Sequence, residues 1–468
     1  MKQLSRRAFV QASGIAGAAA LLTLAGCNAE SAPTSGGQKA AQLEQPTQPE
    51  QPAVEAAAPT ATYDSTFPAH APLGQARGIM PGRVVWAHDP ASVLWDGSGE
   101  WWRPENYDEA VVRRMVDAAV ASVAGASSPL EGWRALFASV GDGAGYAPGR
   151  KVAIKCNLNG AAEYDDDTTG TPTGDLYTNP VLLKCLIASL VEAGVAPGDI
   201  TAYDTTRIFP DYLKELCAQG PCAGVHFADR NEGNPGRVQA DVQAPIVWSG
   251  PVNGETCYLP TCVTGADYLI NFADLKGHDY GITLCAKNHF GSFCNSSKMR
   301  QPQQAGLHPF LSGQRMGDYS PLVDLMGSAH LGGKTILCIL GALVAPARNT
   351  SAVTPEISQW TMEPFSGGFT ASVFMSQDPV AIDSVGADFL MNEPAMTGNN
   401  AALEGNAGCE NYLHEAALAA APPSGAAYGD GSGGILGSLG VHEHWDNAVD
   451  KRYSRNRGSA EGIELVRV

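Results

Sequence analysis

Val152-Ala153-Ile154-Lys155-Cys156-Asn157, then Asn179-Pro180-Val181-Leu182-Leu183-Lys184-Cys185-Leu186-Ile187-Ala188-Ser189-Leu190-Val191-Glu192-Ala193-Gly194, then Ile200-Thr201-Ala202-Tyr203-Asp204-Thr205: this stretch reads as strand, helix, strand. The first and third runs are short, apolar and bounded by polar residues, as buried strands are. Between them, Leu182, Leu183, Leu186, Ile187, Leu190 and Val191 recur at helical spacing. Pro180 suits the first helical position and Gly194 a helix end. A helix of this length between two strands makes a crossover, and a crossover joins parallel strands.

The same alternation extends in both directions. Val84–Ala87 predicts a strand, and Glu109 to Ala124 a helix with a capping box at Asn106 and Glu109. A short helix is expected over Asp211–Cys217, with strands over Val225–Ala228 and Tyr268–Leu275. Ser320-Pro321 opens a further helix; strands follow at Thr335–Val344 and Ala371–Met375, and a helix at Asp383–Met391. The fold class is therefore α/β, a largely parallel sheet with helices on both faces. The Gly-rich run 426–440 reads as a surface loop, and the tail from Val441 as a segment packed on the body.

Ahead of this body, Ser5-Arg6-Arg7-Ala8-Phe9-Val10 has the form of a twin-arginine export signal. An apolar run from Ile15 to Leu24 is too short and too rich in Ala and Gly to span a bilayer. It ends in Leu24-Ala25-Gly26-Cys27, which resembles a lipoprotein lipobox. The expected organisation is a signal peptide over 1–27 with lipid on Cys27, a disordered linker over 28–77 and an α/β body over 78–468. Residues 28–70 are rich in Ala, Pro, Gln, Glu and Ser and cannot bury a core. As a flexible tether they would span about 35 Å. The expected location is extracytoplasmic: the outer side of the cytoplasmic membrane, the periplasm or the outer membrane, with the membrane as a partner through the lipid anchor. The formal charge is −18. Loss of residues 1–26, which carry Lys2, Arg6 and Arg7 and no acid, makes it more negative still. Such a chain repels nucleic acid, so no nucleic-acid partner is expected.

Of eleven cysteines, ten lie beyond Cys27. Outside the cytoplasm an even number invites disulfides, with Cys217/Cys222 and Cys257/Cys262 the nearest pairs; buried thiols are the alternative. No Cys-x-x-Cys occurs, which leaves no iron–sulfur motif in the chain.

Asn271–Gly291 (NFADLKGHDYGITLCAKNHFG) carries the densest chemistry. Lys276 and His278 follow a strand, Lys155 and Asn157 end another, and Asp204 ends a third. Open α/β sheets bind ligands beyond the carboxyl ends of their strands. Lys287 and Asn288 follow a Gly-containing turn that can bring them to the same edge. Lys155, Lys276 and Lys287 could neutralise a small anionic ligand, with Asn157, Asn288 and Thr283 orienting it. His278, with Lys276 and Lys287, could serve in catalysis. Three lysines need balancing charge from the ligand or from Asp204, Asp378 and Asp383. A metal is the alternative occupant, on His278, His289, Asp378 and Asp383. His442 and His444 alternate around Glu443 and suit a metal, a stacking contact with Trp445 or a docked, hydrogen-bonded tail, the last being favoured. Gly332-Gly333-Lys334-Thr335 lacks the first glycine of a P-loop and precedes a strand, where a P-loop follows one.

Lys155-Cys156-Asn157-Leu158, Tyr203-Asp204, Leu275-Lys276-Gly277-His278, Gly281-Ile282-Thr283, Lys287-Asn288-His289-Phe290-Gly291 and Asp378-Pro379-Val380-Ala381-Ile382-Asp383 resemble DUF362, a family named for its unknown function. The resemblance covers about residues 150–392. The Lys-x-His, Thr and Lys-Asn-x-x-Gly block is its specific part, and Val441-His442-Glu443-His444-Trp445 resembles the ending of exported, lipoprotein-like members. The resemblance implies a shared fold and pocket, and no established reaction. A Cys-rich cluster domain, which some members carry, is absent from this sequence. Leu340-Gly341 stands where many members have Asp-Gly, which weakens an acidic ligand on that strand. Three roles stay open: an enzyme acting on a small anionic molecule, a non-catalytic ligand-capture lipoprotein, or a redox-associated assembly subunit.

Overall fold

Val152–Lys155 and Ile200–Tyr203 lie side by side and parallel in the computed structural model. The structure describes residues 69–163, 170–230, 236–252, 256–278, 281–295, 307, 311, 314–347, 352–393 and 408–468. The signal segment, Cys27 and the linker as far as residue 68 lie outside these residues. The main sheet has eight strands: β1 (Arg83–His88), β2 (Val152–Lys155), β3 (Ile200–Tyr203), β4 (His226–Ala228), β5 (Tyr268–Asp274), β6 (Thr335–Ala342), β7 (Ser372–Ser376) and β8 (Glu464–Arg467). Their order across the sheet is β8-β1-β7-β6-β5-β2-β3-β4. β7 pairs antiparallel with both neighbours, and every other pair is parallel. The expected α/β class and largely parallel sheet are what the chain forms.

Helices cover both faces. α1 (Glu109–Val123), α2 (Pro129–Ala138), α3 (Pro180–Glu192) and α4 (Asp211–Cys217) pack on the face presented by Val85, Ile154, Ile270 and Ile339. On the other face, presented by Val84, Ala153, Leu269 and Leu340, lie α5 (Cys285–Asn288), α6 (Pro321–Gly327), α7 (Pro379–Asn392) and α8 (Asn411–Ala417). Period-two alternation sorts each strand between the two cores. Strands flanked on both sides are buried along their length, as β5 is, which is why they read as continuous apolar runs. Leu340 belongs to this second core, where α7 crosses so closely that a Cβ on Gly386 would lie 2.9 Å from Leu340 Cδ1. Apolar packing explains why no acid stands there.

Several boundaries differ from expectation for local reasons. Asp108 caps α1 by accepting from the Val111 N–H, and Asn106 instead sits in a 3-10 turn, Pro104–Asn106. Asn179 caps α3 through the N–H groups of Val181 and Leu182. α7 starts at Pro379, because Asp378 accepts from Val380 and Ala381 and caps it. α2 and β8 were not expected. Ordered chain also reaches back before Gly78, since Leu73–Gly74 pairs antiparallel with Val441–His442. The tail is packed down as expected, with Trp445 and Tyr453 buried. All ten body cysteines are unbridged, and nine of them are buried. Among the described residues, no helix is long and apolar enough to cross a membrane.

Candidate functional site at the strand ends

Lys155 is the last residue of β2 and projects on the α5 face, as Ala153 does. Its Nζ donates to Asp204 Oδ2 at 3.0 Å and to Asn288 Oδ1 at 3.1 Å, and also to the Cys156 carbonyl. Asp204, just past β3, further accepts from the Leu158 N–H and from the Thr206 N–H and hydroxyl. Asn288, brought over by α5, donates to Asn271 Oδ1 at 2.8 Å. Asn271 in turn donates to the Cys285 carbonyl and meets His289 Nε2 at 3.1 Å. His289 Nδ1 contacts Ser292 Oγ, which reaches the Tyr203 hydroxyl. These buried groups form a hydrogen-bonded frame that ties the ends of β2 and β3 and the middle of β5 to α5. A Cβ on Gly291 would lie 2.7 Å from Lys155 Nζ and 2.8 Å from Asp204 Oδ2. The glycine of Lys-Asn-x-x-Gly is thus what lets the turn after α5 close over the ion pair. Burial and the Lys155 charge push the His289 imidazole down to about 3.

A second group lies beyond the frame. Asp274 ends β5, and Lys276 opens a hairpin in which Lys276–His278 pairs with Gly281–Thr283. Both side chains are about 1% exposed. Burial raises the Asp274 carboxyl, while Lys276 and Lys155 hold it down. Burial likewise lowers Lys276, opposed by Asp274 and Asp175 and reinforced by Arg207. Lys155 and Lys276 therefore act on one carboxyl and share one edge of the sheet. Burial also raises Asp175, which feels both Lys276 and Arg207. Asn157 steadies the Asp274 charge, yet neither Asn157 Nδ2 nor Asp274 Oδ2 completes a hydrogen bond of ordinary geometry.

Lys155, Asn157, Asp204, Lys276 and Asn288 lie at one edge of the sheet, but their work is divided. Lys155, Asp204 and Asn288 spend their polar atoms on one another; Asn157 and Lys276 face the second group. His278 is half-buried on the hairpin opposite Gly281. Thr283 pairs with Lys276 through the backbone, and its side chain lies outside the description. Lys287 is turned to Phe290, with Nζ 5.0 Å from the ring centroid.

The four-residue metal set is not formed. Asp383 accepts from the Cys285 and Ala286 N–H groups and the Tyr412 hydroxyl, fixing the start of α5. Asp378 caps α7 and accepts from the Arg77 and Val441 N–H groups. Both carboxylates are consumed by backbone donors, and His289 is consumed by Asn271 and Ser292. Neither acid balances the lysines. Lys334 of the P-loop-like run donates to the carbonyls of Val263, Thr264 and Ala266, a structural tie.

Sequence reasoning passed over Asp274, Asn271, Asp175 and Arg207. The first two lie inside the quoted 271–291 stretch, as polar residues of an otherwise apolar strand. Asp175 and Arg207 come from loops with no local signature. A cavity of about 580 Å³ adjoins the frame at Asn271 and His289, with Arg77, Met326 and Gln377 also on its wall. Neither Lys155 nor Lys276 lines it, so it is a neighbouring space.

The model of a family described as "Domain of unknown function (DUF362)" matches residues 152–388, more than half of the chain. The chain belongs to this family. No curated protein matches it significantly.

Proposed function

We propose that this DUF362 protein is an exported, lipid-anchored lipoprotein that binds a small anionic ligand, a phosphate or carboxylate compound, at the carboxyl ends of its central strands. One observation carries the binding part: the buried Lys276 feels the positive charge of Arg207 as well as the carboxyls of Asp274 and Asp175, at an edge that Asn157 also reaches. Like charges in a low-dielectric setting repel strongly. An anion beside them adds to the offset that Asp274 and Asp175 already provide and takes charge-assisted hydrogen bonds. Asn157 Nδ2 adds a neutral donor, and Asp274, raised by burial, adds an O–H donor when protonated. Lys276, Arg207 and Asn157 each offer a hydrogen to the ligand, which favours an anion over a cation. In this reading Asp274, whose carboxyl burial raises, passes a proton to or from the ligand.

Export and anchoring rest on Arg6-Arg7, the apolar run and Leu24-Ala25-Gly26-Cys27. The ligand reading is tested by calorimetric titration of inorganic phosphate, sulfate and malonate into the folded protein at low ionic strength. Lys276→Met and Arg207→Ala should each weaken binding roughly 10–100-fold, the worth of one charged hydrogen bond. Equal affinity in wild type and both variants would refute it.

A further inference from the structure

Away from the strand ends, four imidazoles and a carboxylate converge where the chain enters and leaves the body. His70 precedes the Leu73–Gly74 strand, Glu410 immediately precedes α8 and His414 lies within it, and His442 and His444 lie in the tail. His70, His442 and His444 offer nitrogens within 4.8 Å of one another, and so do Glu410, His414 and His442 with their ligand atoms. All five residues lie outside the stretch matched by the family.

Hydrogen bonds fix which ring nitrogens face inward. Ser384 Oγ donates its proton to the Val380 carbonyl at 2.8 Å, so it accepts from His442 Nδ1, also at 2.8 Å. His442 therefore turns an Nε2 lone pair inward. His444 Nδ1 donates to Asp388 Oδ1 at 2.8 Å, and Asp388 is itself held by the Trp445 N–H and the Tyr453 hydroxyl. His70 Nδ1 donates to the Ala71 carbonyl at 2.7 Å, and its buried Nε2 has no hydrogen-bond partner. Three rings thus carry their protons outward and their Nε2 atoms inward. Facing them are Glu410 Oε2, 2.9 Å from His444 Nε2, and His414 Nε2, 3.2 Å from His442 Nε2. His444 Nε2 and Glu410 Oε2 form an ion pair when the ring carries a proton there, and a metal cation can take the place of that proton.

We propose that these residues form a binding site for one divalent transition-metal ion of the Zn²⁺ type, held by His Nε2 atoms and Glu410. Imidazole with one carboxylate is a donor set suited to such ions and ill suited to Mg²⁺ or Ca²⁺. Asp388, Ser384 and the Ala71 carbonyl supply the outer hydrogen bonds that metal-ligating histidines characteristically make. The ion would clamp the incoming segment, α8 and the tail to one another, a link between chain ends that no disulfide provides among the described residues.

The test uses the full chain, stripped with a chelator and titrated with Co²⁺ and then Zn²⁺. Expected are one ion per chain, a visible Co²⁺ absorption band displaced by Zn²⁺, and a higher thermal midpoint with the ion bound. His442→Ala removes a fully buried ring and can perturb folding, so His70→Ala and His414→Ala, both at partly exposed residues, carry the test. Each should bind at least about tenfold more weakly, and their midpoints should respond less to the ion. Absence of saturable uptake by wild type, or uptake by both variants as tight as wild type, would overturn the proposal.

Discussion

Lys155 Nζ lies 3.0 Å from Asp204 Oδ2, joining the ends of two adjacent parallel strands, and both side chains are buried. The pair is closed off by Asn288 and the Gly291 turn, so Lys155 braces the site. Removing one partner of a buried pair leaves an uncompensated charge, at a cost of about 3–5 kcal/mol. Lys155→Met and Asp204→Asn should each lose about that much in denaturant unfolding. The double variant should lose distinctly less than their sum, a coupling that a double-mutant cycle measures directly.

Gly291→Ala should be costly for a steric reason. Its new methyl would intrude on the Lys155–Asp204 pair, and overpacking of this kind costs about 1–3 kcal/mol. Gly198→Ala, where nothing lies within 4 Å of the added Cβ, should change stability by less than about 0.5 kcal/mol. Equal effects at both positions would remove the explanation given for the Lys-Asn-x-x-Gly glycine.

His289 is buried and held down to about 3, against 6.5 for a free imidazole. Its unfolded form binds a proton more readily than its folded form. The stability it contributes is therefore complete above about pH 6.5 and is lost as the pH falls toward 3. Ring-nitrogen NMR at pH 5 should show His289 neutral. Unfolding measured from pH 7 to 4 should show a shallower loss of stability in His289→Gln than in wild type.

Much of this architecture is legible in sequence because strands and crossover helices write their periods locally. Val152–Lys155, α3 and Ile200–Tyr203 follow from apolar spacing, and the strand-end rule then places Lys155, Asp204 and Lys276 on one edge. Their division into a saturated frame and a second group is not local, since it depends on Asn288 arriving from α5 and Arg207 from a loop. Asp378 was readable: an Asp before Pro at a helix start is a cap. Asp383 was not, because its N–H partners at Cys285 and Ala286 are about a hundred residues away. Ser128-Pro129 carried the signal for α2, where Ser128 accepts from the Glu131 N–H. The histidine cluster draws on His70, His414 and His442, which no spacing rule connects.

Cys27→Ser should leave export intact and release the protein from membranes after a high-salt wash. Fractionation of cells bearing wild type and variant checks this. A variant that stays with the membrane would rule out lipid on Cys27 as the anchor.

Whether the strand ends hold an anion beside Lys276 and Arg207 is decided by anomalous diffraction from crystals equilibrated with selenate. Selenium marks the position of a tetrahedral anion without assuming the natural ligand. A peak is expected within hydrogen-bonding distance of Lys276 Nζ and the Arg207 guanidinium, and it should be lost in Lys276→Met. Saturating selenate bound only elsewhere on the protein would contradict it.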